Sequence, residues 1–318
     1  MRILPANDAS VKHAAELLRT GGVVAFPTET VYGLGALALE PASVARIFEI
    51  KRRPRFDPLI VHVLNRAMLD EVVANVPPLA DELARRFWPG PLTLVLPKRG
   101  SVPALVTSGL PTVAVRMPSH RIARSLLQAV GGPIAAPSAN RFGSLSPTRA
   151  EHVDESLNDD VDLILDGGST EFGIESTIVA FDPEPSVLRP GALEIEALEA
   201  IVGPIAVISE GPARAPGMLR RHYAPRTPLR LIDPATVPVS ERVGAGVLSL
   251  RDRFDGYAEM RVLSPSGDLR EAAAAFFEAL HELDSAKLGR VDAQPIDDGG
   301  LGLAMMDRLR RAAASRNV

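Results

Sequence analysis

The 318-residue sequence contains no cysteine, which excludes disulfide bonds, thiolate zinc sites and cysteine nucleophiles. It also lacks any apolar run near the roughly 20 residues that a membrane-spanning helix needs. The first ten residues include Asp8 and no continuous apolar stretch, so we expect no signal peptide. A hydrophobic fraction of 46% is sufficient for a core, so the sequence predicts a globular cytoplasmic protein without membrane contact.

Lysine and aromatic residues are both scarce. The lysines are Lys12, Lys51, Lys98 and Lys287, so Lys51 stands out because arginine is used almost everywhere else. Aromatic residues make up 4% of the chain, which leaves few rings to stack on nucleic-acid bases between the arginines. The net charge of −4 also argues against a generally basic nucleic-acid binder.

Apolar periodicity predicts an α/β chain in two parts. Residues 1–203 combine many short strands with few, uneven helices, which is typical of a twisted mixed sheet with packed helices. Residues 204–227 are rich in glycine and proline and are predicted to form a linker. Residues 228–318 resume a regular alternation, which predicts a small Rossmann-like domain.

The individual elements follow from the same patterns, with Ser10 as the expected N-cap of the first helix. Strands are predicted at 23–26, 59–63, 92–96, 112–116, 134–136, 163–165, 177–181, 186–188, 229–232, 246–250, 260–263 and 290–295. Helices are predicted at 10–20, 41–52, 80–87, 121–129, 194–201, 269–283 and 301–314.

Polar residues follow the predicted strands repeatedly. Thr28-Glu29-Thr30 come after the first strand, and Lys51 with Arg53 ends the helix that follows it. Arg116 ends a later strand. In open α/β sheets ligands bind at the carboxyl edge of the strands. Cations and hydroxyls at such an edge favour an anionic ligand, above all a phosphate.

Each of these groups also has a structural explanation. Lys51 and Arg53 could simply interact with a helix dipole. His62, which alternates with apolar neighbours, could be a satisfied core residue, and polar residues near prolines could serve turns. The recurrence of such clusters is what favours a single cleft.

Common nucleotide-binding motifs do not explain the pattern. Residues 33–38 match G-x-G-x-x-A, but the predicted strand ends seven residues before Gly33 and the next helix begins only near Pro41. We therefore expect these glycines to serve a tight loop, and a nicotinamide oxidoreductase is disfavoured. The sequence has no P-loop, so a bound triphosphate would need side-chain cations and hydroxyls, with Mg²⁺.

Taken together, the motifs resemble those of the YrdC/Sua threonylcarbamoyl-AMP synthases, in their longer two-domain form. The resemblance covers essentially the whole chain and implies a YrdC-like catalytic domain followed by a linker that acts as a lid. The segments that match the family motifs are 26–35, Lys51-x-Arg53-Pro54, 58–62, 88–93, 115–118, 137–140, 176–179, 188–191 and His222-Tyr223-Ala224-Pro225.

The resemblance implies that L-threonine, bicarbonate and ATP form L-threonylcarbamoyl-adenylate and pyrophosphate, as a nucleotidyltransferase reaction. It implies Mg²⁺ with ATP, no tightly bound organic cofactor and no certain protein metal ligand. Other proteins would pass the threonylcarbamoyl group to an adenosine beside the tRNA anticodon. The implied threonine-binding residues are Thr30, His62, Arg116, Ala136 and Ser176. The implied ATP-binding residues are Lys51, Arg53, Asp57, Thr112, Ser138, Asn140, Ser146, Arg189 and Tyr223.

Asp57 and the linker residues Leu219 and Arg220 depart from the family pattern, and two alternatives stay open. Asp57 stands where the family usually has asparagine, and a carboxylate near phosphates would repel them unless a metal ion bridges the two. The first alternative is an RNA-binding module, in which Arg52, Arg53, Arg55 and Arg116 track phosphates. The second is a carbamoyl transferase related to hydrogenase maturation, whose zinc-finger region a chain without cysteine cannot supply.

Overall fold

The computed structural model describes residues 3–182, 184–208, 211, 214–219 and 222–314. Within these residues the chain forms two sheets. The strands of the large sheet are β1 (Ile3–Pro5), β2 (Val24–Phe26), β3 (Gly33–Leu37), β4 (Ile60–His62), β5 (Leu92–Pro97), β6 (Thr112–Arg116), β7 (Ile134–Ala135), β8 (Leu163–Asp166), β9 (Thr177–Phe181), β10 (Pro185–Arg189) and β11 (Ala206–Val207).

The large sheet has the order β1-β8-β2-β3-β7-β4-β6-β5-β9-β10-β11. Neighbouring strands are parallel in some pairs, such as β4 with β6, and antiparallel in others, such as β5 with β6. The prediction of a mixed sheet with packed helices is therefore confirmed. The helices of this part are α1 (Asp8–Arg19), α2 (Pro41–Lys51), α3 (Arg66–Val72), α4 (Pro78–Phe87), α5 (Ala104–Thr107), α6 (Arg121–Val130), α7 (Ala150–Leu157) and α8 (Ile195–Val202).

The small sheet contains β12 (Leu229–Leu231), β13 (Ala245–Ser249), β14 (Glu259–Val262) and β15 (Arg290–Ala293). Its order is β12-β15-β13-β14 and all its described pairs are parallel. Helices α9 (Val239–Arg242), α10 (Leu269–Ser285) and α11 (Leu301–Ala313) complete this part. The predicted small Rossmann-like domain is thereby confirmed.

Local predictions failed at two places near the first hairpin. Asn7, and not Ser10, caps α1; Ser10 is the third helical residue and completes a capping box by accepting from the Asn7 backbone N–H. The segment from Gly33 lies in strand β3, antiparallel to β2, and not in a tight loop. A Cβ on Gly35 would come within 2.7 Å of the Phe26 ring, so glycine permits this close pairing.

The two parts of the chain share an apolar cluster. Val31, Leu145 and Ile174 from the first part are buried with Phe276 and Phe277 of α10. Strand β11 falls inside the predicted linker, of which residues 209, 210, 212, 213, 220 and 221 lie outside the described residues. The boundaries 1–203, 204–227 and 228–318 stay a prediction. None of the helices in the described ranges is long and apolar enough to cross a membrane.

Candidate active site

A small cavity lies where the large sheet, the loop after β2 and the linker meet. It offers about 40 Å³ to water, which is room for a few water molecules. Nine of the fourteen predicted site residues line it: Thr30, Arg53, His62, Arg116, Ala136, Ser138, Ser176, Arg189 and Tyr223. Four more are buried directly behind this lining: Lys51, Asp57, Asn140 and Ser146.

One edge of the large sheet supplies most of the charged lining. Strands β4 and β6 are parallel with His62 opposite Arg116, so both side chains stand at the same edge. Strand β5 is antiparallel to β6, and β9 is parallel to β5. Ser176, immediately before β9, and Arg189, at the end of β10, therefore reach that edge as well.

The remaining lining comes from the other edge. Strand β7 is antiparallel to β4, so Ala136 and Ser138 leave the sheet at the end opposite to His62. The loop after β2 closes the gap, because the Thr30 hydroxyl accepts a hydrogen bond from Arg116 Nη1 at 2.8 Å. The polar clusters thus come from both ends of the strands, and the loop after β2 connects them around one cavity.

Thr112 is the predicted residue that the structure places away from the cavity. It begins β6, whereas Arg116 ends that strand. The two residues are four steps apart along the strand, which corresponds to about 13 Å. Thr112 is not among the lining residues of the cavity and is paired with Pro97 at the far end of β5.

Arg116 is held by several partners at once. It is 3% exposed, and its Nη2 lies 2.6 Å from Glu29 Oε1. Its Nε donates to the Gly90 carbonyl at 3.2 Å, and Thr30 in turn contacts the Thr28 hydroxyl at 2.9 Å. Burial raises the pKa of Glu29, but the charge and hydrogen bond of Arg116 outweigh it and leave this pKa below its ordinary value.

His62 stands beside Arg116 as a neutral imidazole. Its burial and the positive charge of Arg116 lower its pKa to about 3. The ring packs edge-on against Phe26, with 6.2 Å between ring centres. Nδ1 has no hydrogen-bond partner among the described residues, which leaves one polar atom of the buried ring available for a ligand.

Lys51 and Arg53 form a second buried cationic group. Lys51 Nζ donates to the carbonyls of Ser138 and Asn140 at 2.6 and 2.5 Å. Burial, and then the charge of Arg53, hold the pKa of Lys51 well below its usual range. Arg53 Nη2 lies 2.8 Å from Asp57 Oδ2 and donates to the Pro58 carbonyl. The Asp57 carboxylate, which was expected to repel phosphates, is therefore paired with a cation inside the protein.

Ser176 and Arg189 build a third polar group. The Ser176 hydroxyl lies 2.8 Å from Thr93 Oγ1 and accepts from Arg189 Nη2 at 3.1 Å. Arg189 also donates to the Ser176 carbonyl and, through Nη1, to the Pro216 carbonyl of the linker. This guanidinium thus joins the strand ends to the linker.

The linker covers the cavity. Tyr223 is 1% exposed, has φ +61° and packs against the His222 ring at 4.1 Å between centres. Gly217 has φ +85°, and a Cβ there would come within 2.5 Å of the Tyr223 hydroxyl. Glycine is therefore required where the linker backbone passes over the tyrosine.

Burial also decides against the arginines as an RNA-binding surface. Arg53 and Arg116 are 7% and 3% exposed, and both are engaged in ion pairs. Only Arg52 and Arg55 of the proposed phosphate-tracking set are exposed. In the parts of the chain that the structure describes, no group of three or more acidic, histidine or cysteine residues could hold a metal ion.

Comparison with known families matches both parts of the chain. A family model described as telomere recombination, which groups Sua5, YciO and YrdC, matches residues 16–191. A second, described as the C-terminal domain of threonylcarbamoyl-AMP synthase, matches residues 193–314. The chain belongs to the Sua5 family of threonylcarbamoyl-AMP synthases. The resemblance inferred from the motifs is thereby confirmed.

Individual members of the Sua5 family match over nearly their full length. A threonylcarbamoyl-AMP synthase of Bacillus subtilis is 42% identical over 99% of this chain and 96% of its own. One of Pyrococcus abyssi is 41% identical over 98% of this chain and 96% of its own. The crystal structure of P. abyssi Sua5 complexed with L-threonine superposes with a TM-score of 0.91, covering 99% of this chain and 97% of that one.

Among the buried residues of the site that the predicted set does not include are Glu175 and Arg308. Glu175 lines the cavity and contacts Ser146, and Arg308 of α11 pairs with Glu175. Glu175 directly precedes Ser176, so the rule that found the other strand-end residues could have found it. Arg308 has no such signal, because it lies in an amphipathic helix 133 residues further along the chain.

Proposed function

We propose that this chain is a threonylcarbamoyl-AMP synthase, which forms L-threonylcarbamoyl-adenylate and pyrophosphate from L-threonine, bicarbonate and ATP. The observation that carries the proposal is the cavity in which Arg116, Thr30 and His62 lie beside the cations Arg53 and Arg189. One end suits a small amino acid with a hydroxyl group, and the other suits a polyanion.

Threonine is proposed to bind at the Arg116 end. Its carboxylate would share the Arg116 guanidinium, which already holds Glu29 on one side. Because the pKa of His62 is depressed, the neutral ring can accept a hydrogen bond from the threonine amine or hydroxyl. Thr30 and Ser176 supply further hydroxyls, and Ala136 leaves space for the threonine methyl group.

ATP is proposed to bind along the cationic side, with Mg²⁺ entering as part of the ATP complex. Lys51, Arg53 and Arg189 would neutralise the triphosphate, and hydroxyl and amide groups would orient it: Ser138, Asn140 and Ser146. Asp57 limits the net charge of this side by pairing with Arg53. No tightly bound organic cofactor is required.

The chemistry needs positioning more than covalent work by the protein. Threonine's amine attacks CO₂ derived from bicarbonate and loses a proton, which gives a carbamate. A carbamate oxygen then attacks the α-phosphorus, the bond to the bridging oxygen breaks, and pyrophosphate leaves. The buried cations stabilise the developing charge, and the enclosed site keeps water from the labile carbamate.

The linker is proposed to act as a lid. Linker residues line the cavity, namely Pro216, Gly217, His222 and Tyr223, so a movement of the linker would open it to both substrates. Tyr223 would then return over the nucleotide. In the cytoplasm, other proteins would transfer the product's threonylcarbamoyl group to an adenosine beside the tRNA anticodon, and any contact of this chain with tRNA would be weak.

The experiment that tests this function is pyrophosphate release from ATP, measured with threonine and bicarbonate supplied or omitted in turn. We expect release only when all three substrates are present, with the adenylate as co-product by mass spectrometry. Serine in place of threonine serves as a matched control for the methyl group. Equal release without threonine would refute the proposal.

A further inference from the structure

One arginine of the C-terminal helix α11 contacts the catalytic part of the molecule. Arg308 is 0% exposed although it carries a full charge. Its Nε and Nη2 lie 3.1 and 3.0 Å from Glu175 Oε2, and its Nη1 donates to the Pro190 carbonyl at 2.5 Å. Both partners belong to the large-sheet part of the chain. A buried charge reaching between the two parts in this way is costly unless fully paired.

Glu175 connects Arg308 to the cavity. Its second oxygen, Oε1, accepts a hydrogen bond from the Ser146 hydroxyl at 2.5 Å. Glu175 itself lines the cavity next to Ser176. Arg308 thus neutralises a carboxylate that stands at the wall proposed to face ATP, and that carboxylate fixes the Ser146 hydroxyl.

The same guanidinium also contacts the linker. The Arg308 guanidinium carbon lies 5.2 Å from the centre of the Tyr223 ring, within the range of a cation–π interaction. The other neighbours of that ring include Phe277 of α10, at 5.9 Å between centres. One C-terminal side chain therefore supports both the wall of the cavity and the residue that covers it.

We propose that Arg308 is a positioning residue for the ATP side of the reaction, and that the C-terminal domain completes the active site through it. This inference rests on the proposed function. Without the guanidinium, Glu175 would place an uncompensated buried charge beside the triphosphate and release the Ser146 hydroxyl. Among the described residues, Arg116 at the threonine end shares no hydrogen bond or ion pair with Arg308 or Glu175. Ser176, the neighbour of Glu175, links the two ends, so threonine binding should change less than ATP binding.

The test compares Arg308→Met, Arg308→Lys and the double variant Arg308→Met/Glu175→Gln in the full-length protein. Arg310→Met is the matched control, because Arg310 is on the same helix, half exposed and paired only with Asp298 among its described side-chain contacts. We expect Arg308→Met to raise the KM for ATP about 10- to 100-fold, while the calorimetric Kd for threonine changes by less than about threefold. Arg308→Lys and the double variant should recover part of the ATP affinity, because each removes the uncompensated charge.

The outcomes separate this inference from stability and from the proposed function. A folded Arg308→Met with an unchanged KM for ATP, or equal losses for ATP and threonine, would overturn it. If Arg308→Met does not fold, wild-type KM values for ATP in both Arg308→Lys and the double variant would overturn it instead. If the wild-type protein releases no pyrophosphate, the proposed function fails. The role of Arg308 in ATP binding is then tested independently, by measuring the Kd for ATP of each variant by calorimetry.

Discussion

Both sheets contain a cluster of paired charged side chains, but the surroundings of the two clusters differ. In the small sheet, Asp292 accepts from Arg230 and Arg290 at 2.6 and 3.0 Å and from the Tyr257 hydroxyl at 2.9 Å. Those partners come from its own sheet and from the loop before β14. In the large-sheet part, three buried arginines line a cavity, namely Arg53, Arg116 and Arg189.

This difference distinguishes a structural cluster from a binding site. Asp292 has no capacity left for a ligand. Burial raises its pKa, but the hydrogen bonds from Arg230, Arg290 and Tyr257 outweigh this and leave the pKa below its ordinary value. At the large sheet, His62 keeps a buried nitrogen without a hydrogen bond among the described residues. A polar cluster at a strand end thus predicts a site only when it faces space and retains unused hydrogen-bonding groups.

The largest effect is expected for threonine binding. Because Arg116→Met alone would leave the buried Glu29 charge unpaired, we propose the double variant Arg116→Met/Glu29→Gln, which removes both charges. Threonine affinity should fall by about 2–5 kcal/mol, since a carboxylate in the cavity would lose its charged partner. The threonine Kd is measured by calorimetry, and Arg46→Met, which breaks an exposed ion pair, is the control. An unchanged threonine Kd in the folded double variant would show that Arg116 is structural.

A smaller effect is expected for the nucleotide. Lys51→Met should weaken ATP binding by about 1.5–3 kcal/mol and AMP binding much less, because its cationic head is proposed to face the terminal phosphates. Arg53→Met/Asp57→Asn should behave in the same way without leaving Asp57 unpaired. Nucleotide titrations followed by calorimetry provide the measurement. Parallel losses for ATP and AMP would mean that these cations act through the loops they hold.

His62 predicts a dependence of stability on pH. Its folded pKa of about 3 lies below the unfolded value of about 6.5, so only the unfolded chain gains this proton as the pH falls from 6.5 towards 3. Stability is therefore lost on acidification, by up to about 1.4 kcal/mol per pH unit from this group. Urea unfolding at pH 7 and 5 should show a shallower loss in His62→Gln than in the wild type. The exposed His13→Gln should match the wild type, and an identical slope in all three proteins would exclude His62 as the cause.

The smallest effect on ligands is expected from the small sheet. Asp292→Asn should reduce the free energy of unfolding by about 1–3 kcal/mol, because charge-assisted hydrogen bonds are weakened. The Kd values for threonine and ATP should stay within about twofold, since the cluster does not border the cavity. Thermal unfolding and calorimetry on the same sample check both statements. A tenfold loss of ligand affinity would erase the distinction between the two sheets.

The sequence predicted this molecule well where strands are apolar and end in polar residues. Strands β6 and β9 lie where expected, because apolar runs that end in polar residues are easy to recognise. Nine of the residues implied by the family resemblance line the cavity. Strand β3 was missed because its glycines carry no alternating pattern, and α3 (Arg66–Val72) because seven residues are too few for periodicity. Arg308 could not be predicted, because its contact with Glu175 depends on how the two parts of the chain pack and not on the local sequence.

Hydrogen exchange with mass spectrometry tests the central claim most directly, namely that the large sheet and its linker bind the substrates and the small sheet does not. Exchange is compared with and without threonine, bicarbonate and ATP. The account predicts slower exchange in peptides covering 27–33, 112–118, 174–178 and 214–224, and unchanged exchange at 250–254 and 264–268, the carboxyl ends of β13 and β14. Protection confined to 250–254 and 264–268 would contradict it.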